Sequence, residues 1–219
     1  LFSGNSSSTQ AFQKDATTGK ITYTATNDNK SVNVETGSYT TQGVNGIELL
    51  YYTNNTAQAG EDLTFDENEI ILDKNGNQYK LLDNDNDGSF DGLYLNGDSS
   101  NTPLTVTDNG DGSFTVNNAG TTALQSKYSI FDDLDKIINA LKQQDSSGNT
   151  ITEDEATTLL SDALSTVTNA YDTMNITHAK LGTRTASIEN YESIVQSKLT
   201  NFNLLQENYS AADVTALAI

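Results

Sequence analysis

The fold is decided by the stretch from Thr152 to Tyr209, TEDEATTLLSDALSTVTNAYDTMNITHAKLGTRTASIENYESIVQSKLTNFNLLQENY. It contains no proline, and an apolar side chain returns every seven residues, which is the spacing of a helical packing seam. The pattern predicts one very long amphipathic helix, or two nearly collinear ones, over about 152–209. The seam residues are Leu160, Val167, Met174, Leu181, Ile188, Val195 and Phe202, followed by Tyr209.

The helix start is marked by Thr152 and Glu155, which have the spacing of a capping box. The intermediate seam positions are apolar towards the two ends and polar in the middle: Leu164, Tyr171, His178, Thr185, Glu192 and Leu199. A helix of this length needs partners along its flank, because most helical stability comes from burying an apolar side. The stretch therefore predicts a rod that packs against another helix.

A shorter helix over about 129–143 comes before it. Ser129, with Asp132 three residues on, marks its N-terminus, and Asp145 to Asn149 is a loop. Its apolar residues lie three or four apart, which places them on one face; they are Phe131, Leu134, Ile138 and Leu141. We expect the apolar stripes of the two helices to face each other in an antiparallel hairpin.

The first part of the chain changes to a period of two, which is typical of half-buried strands. Asn75-Gly76 lies between two such strands and predicts a hairpin with a type I′ turn. The predicted strands are 21–25, 32–34, 69–72, 78–82, 93–95, 104–106 and 114–116, the last two paired, while 47–52 forms a strand or a short helix.

These patterns predict an α+β fold, an elongated antiparallel helical hairpin or bundle rod with an antiparallel β domain. Residues 1–126 would form a β-rich outer domain, in which 61–117 is an enlarged sub-domain. Residues 127–219 would form the helical rod. Because Met174 is the only methionine, we expect the chain to be a fragment of a longer protein.

The chain of 219 residues has 30 acidic and 11 basic residues and a net charge of −19. Such a charge argues against nucleic acid and anionic membranes as partners, since both repel an acidic surface. There is no cysteine, which excludes disulfides and cysteine-based zinc or catalytic sites. No apolar run approaches the roughly 20 residues that a membrane helix needs, and no signal-peptide pattern is present.

The sequence predicts no catalytic residue. His178 is the only histidine, and a serine nucleophile would need a histidine base together with an orienting carboxylate. Because His178 sits at helical spacing with no second histidine, we interpret it as a packing or hydrogen-bonding residue. The chain is therefore expected to be a structural protein and to require no cofactor.

One acidic loop could bind calcium. Oxygen side chains recur along LLDNDNDGSFDGLY around Gly88, and such a loop can wrap a hard cation. The candidate ligands are Asp83, Asp85, Asp87, Ser89 and Asp91. It is not an EF-hand, because Tyr94 stands where a glutamate is needed and the flanks read as strands. The alternative is an acidic turn that binds nothing.

Several phrases together resemble the hook-associated protein 3 family, the junction proteins between the flagellar hook and filament in the flagellin superfamily. The phrases are LFSGN with QAF, DATTGKITYTATNDNKSVNVETGSYTTQGVNG, IFDDLDKIINAL, LGTRTASIENYES and LLQENYSAADVTALAI. Departures are Asn27-Asp28 for the usual Gly-Asp and Gln10-Ala11 where the family tends to have prolines. Gly182 and Arg184, in the L-G-x-R phrase, would be packing or subunit contacts, or else an ordinary glycine and a solvated charge.

The resemblance implies a non-enzymatic subunit that is secreted through the flagellar export apparatus and assembles outside a bacterial cell. Its expected partners are the other hook-associated junction protein and flagellin. The chain would lack the terminal helices that polymerise, so we expect the fragment to be monomeric. The alternatives are a flagellin-like filament subunit and a calcium-dependent extracellular adhesin or binding module.

Overall fold

The computed structural model describes residues 2–6, 8–16, 19–118 and 122–217, with side chains described as far as residue 210. These residues form three helices, α1 Gly46–Leu50, α2 Ile130–Leu141 and α3 Glu153–Leu217. The strands are β1 Phe12–Lys14, β2 Ile21–Tyr23, β3 Lys30–Glu35, β4 Ser38–Gln42, β5 Tyr51–Ala57, β6 Asp62–Asp66, β7 Ile70–Asp73, β8 Gln78–Leu82, β9 Gly92–Leu95, β10 Val106–Asp108, β11 Ser113–Asn117 and β12 Leu124–Ser129.

The predicted α+β class is confirmed, with antiparallel sheets before a long C-terminal helix. The chain divides into two compact units. The first, unit 1, contains the described residues of Leu1–Asn29 and Val44–His178, and the second, unit 2, contains those of Lys30–Gly43 and Ala179–Ile219. The domain boundary predicted at residue 126 falls inside β12, and α3 contributes residues to both units.

Unit 1 holds a five-stranded sheet in the order β5-β12-β7-β8-β9 and a three-stranded sheet in the order β10-β11-β6. Their apolar side chains form one core, in which Ile71 and Val116 are fully buried. A second cluster surrounds Tyr23 and Ile47, where Phe12 meets the Tyr23 ring edge-on with centroids 5.3 Å apart. Strand β7 is buried on both faces, because Ile71 belongs to the first core and Ile70 and Leu72 belong to the second cluster.

The hairpin around Asn75-Gly76 is confirmed, with Ile71 opposite Tyr79, but its turn is not type I′. Gly76 has a φ of 84°, whereas Asn75 is not among the described residues with a positive φ. The Asp73 carboxylate accepts hydrogen bonds from the backbone N–H groups of Asn75 and Asn77 at 2.8 and 2.9 Å. These hydrogen bonds from Asp73 hold the turn, so that only Gly76 needs a positive φ.

Two further strand predictions need correction. The stretch 47–52 is divided, since α1 ends at Leu50 and β5 begins at Tyr51. The predicted strand at 104–106 begins later as β10 and pairs with β11, with Val106 opposite Val116. Leu104 instead forms an isolated bridge to Leu93. Here the pairing was predicted correctly and the strand start was not.

Both predicted helix starts are confirmed. The Ser129 hydroxyl caps α2 by accepting from the Phe131 backbone N–H at 3.1 Å. At the start of α3, the Thr152 N–H donates to the Glu155 carboxylate at 2.8 Å, and the Glu155 N–H donates to the Thr152 hydroxyl at 3.3 Å. These caps fix where the chain leaves the sheet and where the long helix begins.

Unit 2 contains the hairpin of β3 and β4 and the part of α3 after His178. Arg184 donates from its guanidinium to the Gly43 carbonyl at 2.6 Å, and Lys198 forms a 2.6 Å salt bridge with Glu35. The hairpin is therefore tied to the helix through polar contacts at two places within this unit.

Candidate assembly surface and acidic loop

In unit 1, α3 buries a row of small side chains that recurs every seven residues. The row consists of Ala156, Ala163, Ala170 and Thr177, each no more than 6% exposed. Ala170 packs with Tyr52 and Tyr128, whose rings are 5.9 Å apart. The Thr177 hydroxyl donates to the Glu48 carbonyl at 2.6 Å. Small residues let the helix backbone approach the sheet closely enough for these contacts.

The large seam residues lie beside this row. Leu160, Val167, Met174, Leu181 and Ile188 are half-buried, whereas Val195 is 53% and Phe202 69% exposed. The prediction that the intermediate positions belong to the packed side of the helix was wrong. Leu164, Tyr171, His178, Thr185, Glu192 and Leu199 are all exposed.

The error has a simple origin. A seam continues either three or four residues after each main position, and leucine and tyrosine at the fourth position suggested the second choice. The structure takes the first, at Ala163, Ala170 and Thr177. The alanine repeat was the signal that could have found this face. It was missed because alanine carries little hydrophobic weight.

In unit 2, an apolar stripe on α3 is open in this chain. We define the open stripe as Val195, Leu199, Phe202 and Tyr209, which are spaced four, three and seven residues apart and are 53–71% exposed. Ile194, Leu204 and Leu205, on neighbouring positions, are also more than 40% exposed. Exposed apolar groups in a contiguous row mark surfaces that bind other proteins.

The apolar face predicted for α2 packs only at Phe131, which is half-buried and meets the Phe12 ring edge-on with centroids 5.5 Å apart. Leu134, Ile138 and Leu141 are 45–69% exposed, while Asp133 and Ala140 are buried on another side of the helix. The reason is the direct passage from β12 into α2, because the Ser129 cap sets which side of the helix meets the sheet. α2 therefore leaves a second apolar face open in unit 1.

The buried side of α2 carries an acidic residue. Asp133 is 1% exposed, and one of its carboxylate oxygens has no hydrogen-bond partner among the described residues. Burial raises the pKa of Asp133, and hydrogen bonds with Tyr52 and Thr166 oppose the rise. Burial also raises the pKa of Asp132 to about 6, against the lowering effect of Lys20 and Lys136. The start of α2 is thus held by carboxyl groups that retain protons more firmly than usual.

The acidic loop brings together three of its five predicted ligands. Oxygens of Asp83, Asp85 and Asp91 all lie within 4.8 Å of one another. The Asp83 carboxylate accepts from the Gly88 N–H at 3.0 Å, and Asp87 accepts from the Ser89 N–H at 2.8 Å. The carboxylates that would bind a cation thus already accept hydrogen bonds from the backbone of the loop. Calcium binding here stays a prediction.

Arg184 and Gly182 differ in what they touch. Arg184 is half-buried and bonds to Gly43 as described, so it is not merely a solvated charge. Gly182 is exposed, and a Cβ added there would meet no atom within 4 Å. His178 is exposed as well. None of the helices in the described part of the chain is both long and apolar enough to cross a membrane.

No family model matches the sequence, and none of the curated proteins matches it either. Solved structures do. The fold is similar to FlgL from Xanthomonas campestris, with a TM-score of 0.50 and 15% identity over 95% of this chain and 73% of that chain. The flagellar junction protein FlgL from Legionella pneumophila aligns with a TM-score of 0.42 and 18% identity over 90% of this chain and 70% of that one. The likeness to the Xanthomonas structure confirms, at the level of the fold alone, the resemblance to the hook-associated protein 3 family.

Proposed function

We propose that this chain is part of a structural, non-enzymatic subunit of the bacterial flagellum that joins the hook to the filament. In this role it packs against neighbouring subunits, axially and laterally, through its helices. The protein is secreted through the flagellar export apparatus and works outside the cell. Its partners are the other hook-associated junction protein on one side and flagellin on the other.

The observation that carries the proposal is the open stripe on a helix of a fold shared with a flagellar junction protein. In the unit 1 part of α3 the packed row ends at Thr177, whereas Leu199, Phe202 and Tyr209 are more than half exposed. At about 25 cal/mol per Å² of apolar surface, covering such a stripe contributes several kcal/mol before the entropic cost of association is subtracted. A neighbouring subunit supplies that cover in the proposed role.

The first experiment deletes the gene that encodes this chain in its source organism and examines the cells by electron microscopy. The expected result is hooks without filaments, together with monomeric flagellin in the medium. Filaments of normal length on the deletion strain would contradict the proposal.

The second experiment restores the full-length gene with Leu199→Glu and Phe202→Glu in the open stripe. We expect motility to be lost, because charges on this stripe prevent its burial against a neighbour. The matched control is Asn201→Glu with Asn203→Glu, which adds the same charge at exposed positions on the same turns. Equal motility in the two strains would show that the open stripe takes no part in assembly.

Purified full-length protein separates the alternative functions. A junction protein forms a complex with flagellin or with the other hook-associated protein. A flagellin-like subunit forms long filaments by itself, and a calcium-dependent adhesin does neither. Long filaments of the pure protein would replace the proposed function with that of a filament subunit.

A further inference from the structure

The basic residues of this acidic chain are concentrated at one cleft in unit 1. The chain has 11 lysines and arginines against 30 acidic residues. Four of the 11 line a single cleft of about 520 Å³ between the β1–β2 hairpin and α2; they are Lys14, Lys20, Lys136 and Lys142. Asp132 and Asp135 line it as well. The cleft is therefore a locally basic place on a molecule that is otherwise strongly acidic.

Two of the four lysines are engaged within the cleft. Lys20 donates to the Asn68 side chain at 3.0 Å, and the Lys136 ammonium lies 4.5 Å from the centre of the Tyr128 ring. Both also act on Asp132 electrostatically. In the part of the chain that the structure describes, Lys14 and Lys142 form no ion pair with a carboxylate. These two charges remain to meet an anionic partner.

The residues that line the cleft favour a loop with several carboxylates over one small anion. Its charges come from separate segments, at residues 14–20 and 136–142. It contains no arginine, the residue that binds phosphate with two parallel hydrogen bonds. Ser146 and Ser147 add polar groups at one side. Lysine ammonium groups that are spread along the cleft can each pair with a different carboxylate of one acidic loop.

The chain itself carries such a loop at residues 83–91. Asp85, Asp87 and Asp91 are exposed there, and Asp83 is half-buried. Two copies with a net charge of −19 repel each other at long range. A contact between copies therefore gains most where an acidic patch meets a basic one, which fixes its register more than its affinity.

We propose that the cleft is a docking site for the acidic loop, residues 83–91, of a second copy of this chain. The inference rests on the proposed function, in which copies pack laterally. Loop and cleft are different patches, so the contact is head-to-tail, and such contacts generate rings or helical arrays when repeated. Lys14 and Lys142 pair with Asp85 and Asp87 of the neighbour.

The test is cross-linking between two single-cysteine variants, which is clean because the chain has no cysteine. Ser146→Cys marks the cleft and Ser89→Cys marks the loop. The two chains are mixed with a short bismaleimide, and heterodimer is measured on a denaturing gel. We expect at least about tenfold more heterodimer than when Ser146→Cys is mixed with Ser100→Cys, and a loss of the difference at about 0.5 M salt.

Charge reversal supplies the second arm. Lys14→Glu with Lys142→Glu in the cleft chain is expected to abolish the cross-link, as is Asp85→Lys with Asp87→Lys in the loop chain. Mixing the two reversed chains is expected to restore it. Circular dichroism of each variant excludes unfolding as the cause. If neither charge reversal lowers the heterodimer yield, the proposal is wrong.

Inorganic phosphate tests the competing ligand. If about 10 mM phosphate shifts the amide NMR signals of Lys14 and Lys142 while the cysteine pair fails to cross-link, the cleft binds small anions and the proposal is wrong. Because these measurements use the isolated chain, they are independent of the deletion experiment. If the chains cross-link but deletion of the gene leaves the filaments intact, the contact between copies is supported and the hook–filament role is not.

Discussion

The two parts of α3 differ in how their apolar residues are used. In residues 153–178 the most buried positions are alanines and a threonine, and they pack on tyrosines and on α1. In residues 179–210 no side chain is buried, whereas in the first part exposed Leu164, Tyr171 and Ile176 lie beside the buried row. Polar contacts to Gly43 and Glu35 tie this second part to its hairpin.

The difference shows that one helix can serve two purposes. Its first part is a structural element of unit 1, where close approach to the sheet depends on small side chains. Its second part presents apolar surface that this chain does not cover. Stability of the isolated chain should therefore depend on the first part and assembly on the second.

The largest effect is expected for Ala170→Leu in the packed part. Ala170 is 4% exposed and touches Tyr52 and Tyr128. Three added heavy atoms have no space there, and overpacking of this kind costs about 1–3 kcal/mol. Urea unfolding at pH 7 measures the loss.

Phe202→Ala is the control from the open part. It removes a larger side chain, but one that is 69% exposed, so the expected change is within about 0.5 kcal/mol. If the two substitutions cost the same, the division between a packed and an open part of α3 is wrong.

The next largest effect is a pH dependence of the unfolding free energy. It arises from the Asp132 carboxyl group at the start of α2, in unit 1. Burial raises the pKa of Asp132 from 3.8 to about 6. The folded chain then holds this proton more tightly than the unfolded chain does, so stability falls as the pH rises from about 4 to about 6. Because the group is partly exposed, we expect roughly 1–2 kcal/mol across this range after screening.

Asp132→Asn isolates that contribution from the other acidic residues. The difference in unfolding free energy between the two proteins should favour the variant more at pH 7 than at pH 4. A difference that is constant over this range would show that the carboxyl group titrates normally. Asp162→Asn, at an exposed position of α3 in unit 1, is the matched control.

The sequence predicted those elements that local chemistry determines. Ser129, Thr152 and Glu155 placed both helix starts, because a cap involves residues three positions apart or fewer. Alternation of apolar and polar residues located six strands, β2, β3, β7, β8, β9 and β11, and the helical period located α3. No strand was predicted at β1, β4, β6 or β12. These signals lie within a few residues of each other and need no tertiary information.

The face of each helix could not be predicted in the same way. Ala163 and Ala170 are buried although Leu164 and Tyr171 are more apolar, because the tyrosines of β5 and β12 already fill the space beside the helix. On α2, Asp133 is buried while Leu134 and Ile138 are exposed. The cleft near Lys14 and Lys142 was missed too, since its lysines are distant in sequence.

A smaller effect is expected for Gly182→Ala in the open part of α3. The added methyl group meets no atom within 4 Å, and alanine is favoured over glycine inside a helix by about 1 kcal/mol. The isolated chain should therefore become more stable by up to this amount in thermal unfolding. Destabilisation would mean that the helix has a close neighbour at this position.

The same substitution in the full-length protein tests whether a neighbouring subunit packs against Gly182. If Gly182 allows a subunit to approach closely, Gly182→Ala should weaken motility while it stabilises the isolated chain. Thr183→Ala, at the next exposed position, is the control. Unchanged motility would leave Gly182 as an ordinary helical glycine.

The smallest effect concerns the acidic loop of unit 1, in which Asp85, Asp87 and Asp91 are exposed. If the oxygens of Asp83, Asp85 and Asp91 bind calcium with a dissociation constant near 1 mM, about 2 mM calcium stabilises the chain by about 0.6 kcal/mol. That corresponds to a rise of roughly 1–2 °C in Tm for a chain of this size. Asp85→Asn should remove the rise, whereas Asp108→Asn, in the hairpin turn between β10 and β11, should keep it. Equal shifts with magnesium, or none with calcium, would leave the loop as an acidic turn whose carboxylates serve only its own backbone.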